Sequence, residues 1–245
     1  MKLFISIVIV SMLIVSCNGN DSSEKRDLVK SSKEAINYND YFFPSDSLIP
    51  YIYVYQGTHN PLDEKFFRIY RLQDNQDTSL VVEKYNANFR ITEGFTHDLT
   101  DSLKLTDYMI VDGDGVKRKA NVLSARTFPM GLNDVSYFVA DFPSHTDSLT
   151  MIYESKKNIA EVNVKRDVFG DSVDVLKVID TVRVHLVNPL TQQSNSKLVV
   201  TNRYYAKGYG LVEWGSDELD IHYRLKKILS NEWWSEFAQG PQVKM

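Results

Sequence analysis

Alternation of apolar and polar positions with a period of two dominates the chain from about residue 38 onward. Ala160, Val162 and Val164 alternate with Glu161, Asn163 and Lys165, and Leu219, Ile221, Tyr223 and Leu225 alternate with Asp220, His222, Arg224 and Lys226. That period puts one face of a strand on a core and the other in water, as antiparallel sheets do. Leu176, Val178, Val182, Val184 and Leu186 extend the pattern, interrupted at Asp180-Thr181, where a bulge or turn is predicted. β-branched and aromatic runs at 52–55, 66–72, 80–85, 108–111, 137–142, 149–153 and 198–205 predict further strands. Turn residues separate these runs, and Asp112-Gly113-Asp114-Gly115, Phe169-Gly170-Asp171 and Trp214-Gly215-Ser216-Asp217 each predict a connection between strands. One short helix is predicted at about 231–238. The fold class is mainly β: a single large curved antiparallel sheet or open β-barrel, a meander with few short helices.

The N-terminus obeys a different rule. Behind Met1-Lys2, a 13-residue stretch from Leu3 to Val15 is apolar except for Ser6 and Ser11. A bilayer-spanning helix needs about 18–20 such residues, so the run predicts a cleaved signal peptide. It ends in Ile14-Val15-Ser16-Cys17, followed by the polar Asn18-Gly19-Asn20-Asp21-Ser22-Ser23-Glu24. At these residues the chain resembles a bacterial lipoprotein precursor. The resemblance implies that the Cys17 thiol receives a diacylglycerol, the leader is removed before it, and the new amino group is acylated, for instance with palmitate. Two or more acyl chains anchor a protein stably where one does not. Asn18 after the Cys implies the outer membrane, and Asp21 and Glu24 resemble the tethers of surface-exported Bacteroidetes lipoproteins, with the periplasmic or cell-surface face left open. The expected organisation is a signal peptide at 1–16, a polar tether at 17–37 and a single β-rich domain at 38–245.

Composition narrows the function classes. The chain has 245 residues, of which 43% are hydrophobic, with 28 Lys and Arg against 32 Asp and Glu, a net charge of −4. That balance excludes a disordered chain, and without clustered Lys and Arg it argues against nucleic acid as a partner. A single Cys forbids an intrachain disulfide and a Cys-based zinc site.

Candidate chemistry is sparse. The five histidines, His59, His97, His145, His185 and His222, are never closer than 37 positions, so only distant strands could assemble them into a site. His185 and His222 fall on predicted solvent faces. The Asp112-Gly-Asp-Gly turn lacks the further oxygens of a calcium loop. No Gly-x-Ser-x-Gly elbow or phosphate loop is present, and Ser-x-x-Lys occurs only at Ser22/Lys25 and Ser194/Lys197, in tether and loop contexts. No catalytic or metal-ligating residue is assigned, no cofactor is expected, and the reading leans away from an enzyme.

Aromatic residues are the remaining enrichment. Tyr51, Tyr53 and Tyr55 share one strand face opposite Ile52 and Val54, and with Trp214 they are candidates to line a ligand groove. Burial of both faces of that strand competes with this and is preferred, because large sheets bury aromatics routinely. Residues 204–213 resemble a strand of many envelope lipoproteins that turns at a Gly pair and re-enters its sheet. The function expected is therefore a lipid-anchored outer-membrane lipoprotein acting as a binding or structural module, its partners the membrane through Cys17 and an envelope protein, glycan or lipid ligand. The alternatives are a hydrolase with a dispersed active site and a carrier of an apolar ligand.

Overall fold

The period-two runs form strands because each exposes one apolar face, and thirteen of them satisfy one another's backbone in a single antiparallel sheet. The computed structural model describes residues 37–43, 48–74, 77–99, 103–143, 149–188 and 190–237. The strands are β1 (Tyr51–Gly57), β2 (Glu64–Asp74), β3 (Asp77–Tyr85), β4 (Ile91–Asp98), β5 (Lys104–Val111), β6 (Lys117–Lys119), β7 (Asn121–Ala125), β8 (Val135–Pro143), β9 (Thr150–Val168), β10 (Asp171–Asn188), β11 (Gln193–Ala206), β12 (Gly210–Ser216) and β13 (Ile221–Ser230). A 3-10 turn at Tyr38–Tyr41 precedes them, and helix α1 (Asn231–Phe237) follows.

The strand order is β6-β5-β4-β3-β2-β1-β13-β12-β11-β10-β9-β8-β7. Every sequential pair is adjacent except β6 and β7, which lie at opposite ends of the sheet although Ala120 alone separates them. Because consecutive Cα atoms are about 3.8 Å apart, the sheet has to curl until its two ends face each other. Ala120 N–H donates to Tyr108 O at 2.8 Å, and a lone bridge pairs Lys104 with Arg126. The sheet nonetheless stays open and is not closed into a barrel. Between its ends Tyr108 packs edge-on against Phe138 and Phe142, with ring centroids 5.6 and 5.0 Å away.

The concave face holds the main core, including Tyr53, Tyr55, Phe67, Ile69, Leu80, Val82, Val178 and Tyr205. The opposite face of β1 and β2 is also covered: Ile52, Val54 and Phe66 pack under Trp234 of α1. β1 is therefore buried on both sides, its second face because α1 packs over it.

Two predicted interruptions are absent. β10 runs unbroken through Asp180-Thr181, with register shifts only around Lys177. Asp180 lies on the strand as a paired, buried charge. Trp214-Gly215-Ser216 belongs to β12, and the turn comes later, at residues 217–220. Gly215 is a close-approach glycine facing His222 of β13; a Cβ there would collide with His222 Nδ1 and lie 2.6 Å from Ile221 O. The runs predicted at 149–153 and 160–165 are parts of one 19-residue strand, β9. The Asp112–Gly115 and Phe169–Gly170 turns and the β11–β12 hairpin fall where they are predicted, with positive φ at Gly115, Gly170, Gly208 and Gly210. Cys17 and the segments on either side of it lie outside the described residues.

A charged cavity inside the curled sheet

The curl forms a half-open cavity of about 280 Å³. One wall comes from β2, β3 and β4, which contribute Lys65, Phe67, Val82, Lys84, Glu93, Phe95 and His97. The other comes from β9 to β12, with Tyr153, Ser155, Lys157, Asp180, Arg203, Tyr205, Leu211 and Trp214. Phe42 and Phe43, from the segment after the 3-10 turn, also line it. Phe42 packs on His97 and Phe128, and Phe43 on Tyr53 and Phe67. Gly210 makes room for that segment: with φ +78° it has no side chain, and a Cβ would stand 3.0 Å from Phe43 Cα. The Lys207–Asp40 ion pair, at 3.1 Å, ties the segment to the β11–β12 hairpin.

Register assembles the charges. On β10 Asp180 lies directly opposite Lys157 of β9, while Ser155 and Arg203 sit one diagonal step away. Ser155 Oγ donates to Asp180 Oδ1 at 2.6 Å. Arg203 Nε stands 2.9 Å from Oδ2 in a charge pair. Lys157 Nζ is 3.9 Å from the same oxygen and donates instead to Thr127 O at 2.9 Å. Across the cavity, Lys84 and Glu93 are opposite partners on β3 and β4, 2.7 Å apart. Lys84 also lies over the rings of Phe67 and Phe95, a cation–π arrangement.

Burial sets the protonation states. It pushes the Asp180 carboxyl up, but Lys157, Arg203 and the Ser155 hydroxyl outweigh it and hold the group below the usual carboxylate range. Lys157 is pulled down to about 8, first by burial and then by Arg203 and Lys84, against the opposing pull of Asp180. His97 is pulled down to about 3 by burial, Lys157 and Lys84, which outweigh its hydrogen bond to the Leu80 backbone. At neutral pH the cavity thus holds an ionised Asp180, two cations beside it and a neutral His97. Burial raises the Tyr205 phenol to about 12.

Of the aromatic residues proposed from sequence, Trp214 lines this cavity, stacked on Tyr223 at 4.3 Å. Tyr53 and Tyr55 lie in the surrounding core, where Tyr55 Oη donates to Leu211 O at 2.7 Å, and Tyr51 is exposed. Three groups of the cavity have no signal in the sequence: Lys157, Asp180 and Arg203 come from separate strands with no motif. One clue to Asp180 is available, a carboxylate on the apolar face of an otherwise regular strand. His97 is buried in the cavity, His185 and His222 are half-buried, and His59 is exposed. Among the described residues no three His, Cys, Asp or Glu side chains gather into a metal-binding group, and no helix is long and apolar enough to cross a membrane.

No protein-family model and no curated protein matches the chain. Among solved structures, one described as a "putative lipoprotein" from Parabacteroides distasonis is similar over 77% of this chain and 98% of its own, at 8% identity and a TM-score of 0.44.

Proposed function

We propose that this protein is a lipid-anchored envelope lipoprotein whose sheet domain works by binding a small ligand in its central cavity, without catalysis. The anchor rests on Ile14-Val15-Ser16-Cys17 behind the apolar leader. The binding role rests on one observation: a cavity walled by aromatic rings and carrying a cluster of buried charges, the combination of apolar lining and few fixed polar groups that ligand sites use. A hydrolase reading calls for a His beside a Ser or Asp. His97, Ser155 and Asp180 do line one cavity, but the Ser155 proton is committed to Asp180, and the His97 ring packs on Phe42 and Phe95 and bonds to the Leu80 backbone. Ser155 has no base to activate it, because its partner Asp180 is paired with Arg203 and held below the usual carboxylate range.

Two measurements test the two halves. Membrane fractionation of the parent and Cys17→Ala tests the anchor: the variant is expected in the soluble fraction, and equal membrane association would refute lipidation. Isothermal titration of the detergent-purified protein with phenylacetate and with phenylacetamide tests the cavity. Saturable binding of at least one is expected, and heat from neither, nor from phenyl phosphate or inorganic phosphate, would end the binding reading.

A further inference from the structure

The occupant's chemistry follows from an imbalance in the cavity's charges. Lys65 has Asp63 at 2.9 Å, Lys84 has Glu93 at 2.7 Å and Arg203 has Asp180 at 2.9 Å. Lys157 has no carboxylate so near: its closest acceptor is the neutral Thr127 carbonyl, and the one carboxylate within 4 Å is already taken by Arg203. Each carboxylate therefore matches one cation, and a buried ammonium is left over. A buried charge without close compensation is costly unless something completes it. Lys84 and Arg203 both act on Lys157 with the same sign of charge, and each already has its own carboxylate, so the surplus positive charge sits at Lys157 and an anion there would balance it.

Size and lining restrict that anion further. At roughly 30 Å³ per water, 280 Å³ holds about nine water-sized groups, enough for one ring and a charged head. Phe138, Tyr153, Tyr205 and Trp214 line the cavity and give the ring aromatic neighbours.

Resting on the binding role above, we propose that the cavity takes a one-ring organic acid, its anionic group seated at Lys157 between Lys84 and Arg203 and its ring among the aromatic walls. The shared chemistry covers a carboxylate and a phosphate monoester, and inorganic phosphate is the control that lacks the ring.

The test is calorimetric titration of the detergent-purified protein at pH 7 with phenylacetate, its neutral isostere phenylacetamide, phenyl phosphate and inorganic phosphate. Phenylacetate is expected to bind at least tenfold more tightly than phenylacetamide, and phenyl phosphate at least tenfold more tightly than inorganic phosphate. Lys157→Met is expected to remove the preference for phenylacetate over phenylacetamide, and Lys157→Arg to keep most of it, with far-ultraviolet circular dichroism reporting that each variant retains its sheet. Equal binding of phenylacetate and phenylacetamide by the parent overturns the anion assignment and leaves the binding role standing. Equal binding of inorganic and phenyl phosphate overturns the ring. A Lys157→Met variant that folds and still prefers phenylacetate tenfold overturns the placement at Lys157. Heat from none of the four ends both the assignment and the binding role. The comparisons on the parent need no variant to fold.

Discussion

Asp180→Asn isolates the charge that holds the cavity together. The substitution keeps the side-chain shape and removes the negative charge from a group only 1% exposed. It leaves Arg203, formerly 2.9 Å from the carboxylate, without its counter-charge, and takes from the largely buried Lys157 the one carboxylate within 4 Å. Removing one partner of a buried ion pair typically costs about 3–5 kcal/mol, because the survivor stays desolvated and unpaired. Here two survivors remain, so the upper half of that range is expected. For a folded unit of about 200 residues, 1 kcal/mol shifts Tm by about 2–4 °C, so the melting point is expected to fall by about 10 °C or more. Urea unfolding at pH 7, followed by circular dichroism, reads the same loss as a lower midpoint at unchanged slope. A companion triple variant, Asp180→Leu with Arg203→Met and Lys157→Met, replaces all three charges by apolar groups. It is expected to recover much of the loss, since apolar replacement of a buried ion pair is often neutral. Asp180→Asn within about 1 kcal/mol of the parent would refute the reasoning, for it would mean that water reaches these cations in the folded protein.

His97 makes the fold acid-sensitive. Its pKa is about 3 in the folded state and near 6.5 when unfolded, so the unfolded chain binds the extra proton first; stability from this group is complete above pH 6.5 and falls as pH drops towards 3. His97→Leu is expected to flatten that part of the stability profile in urea titrations between pH 6.5 and 4, and an unchanged slope would contradict the burial of a neutral ring. Gly210→Ala puts a Cβ 3.0 Å from Phe43 Cα at φ +78°, and is expected to cost about 1–3 kcal/mol and to weaken binding of any cavity ligand by displacing Phe42 and Phe43; a melting point within 1 °C of the parent would show that the segment does not sit there.

The antiparallel sheet was legible because alternation survives in one dimension: Val162 to Lys165 and Ile221 to Lys226 declare their faces without reference to any partner, whereas Ala160, expected on the core face, is exposed at a register shift between β9 and β10; the glycines at 115, 170 and 208 mark turns through a backbone conformation that few other residues accept. The proposed lipid anchor rests on a local pattern too, the apolar run that ends in Ile14-Val15-Ser16-Cys17. Gly215 and Asp180 misled because local grammar reads such a glycine as a turn and such an aspartate as a bulge or a turn. Their real causes are a neighbour on β13 that leaves no room for a side chain, and cations on β9 and β11 that neutralise a buried carboxylate.

The sequence by itself determined that the chain forms strands, roughly where most of them lie, and that an apolar leader ends in a lone cysteine. The tertiary structure alone decided that β6 and β7 stand at opposite ends of one sheet although Ala120 alone lies between them, and that Lys84, Lys157, Asp180 and Arg203 face a common cavity. The physical reason is that strand pairing and curl bring together residues far apart in the chain, and the energy of a charge depends on the neighbours this brings, which no local pattern records.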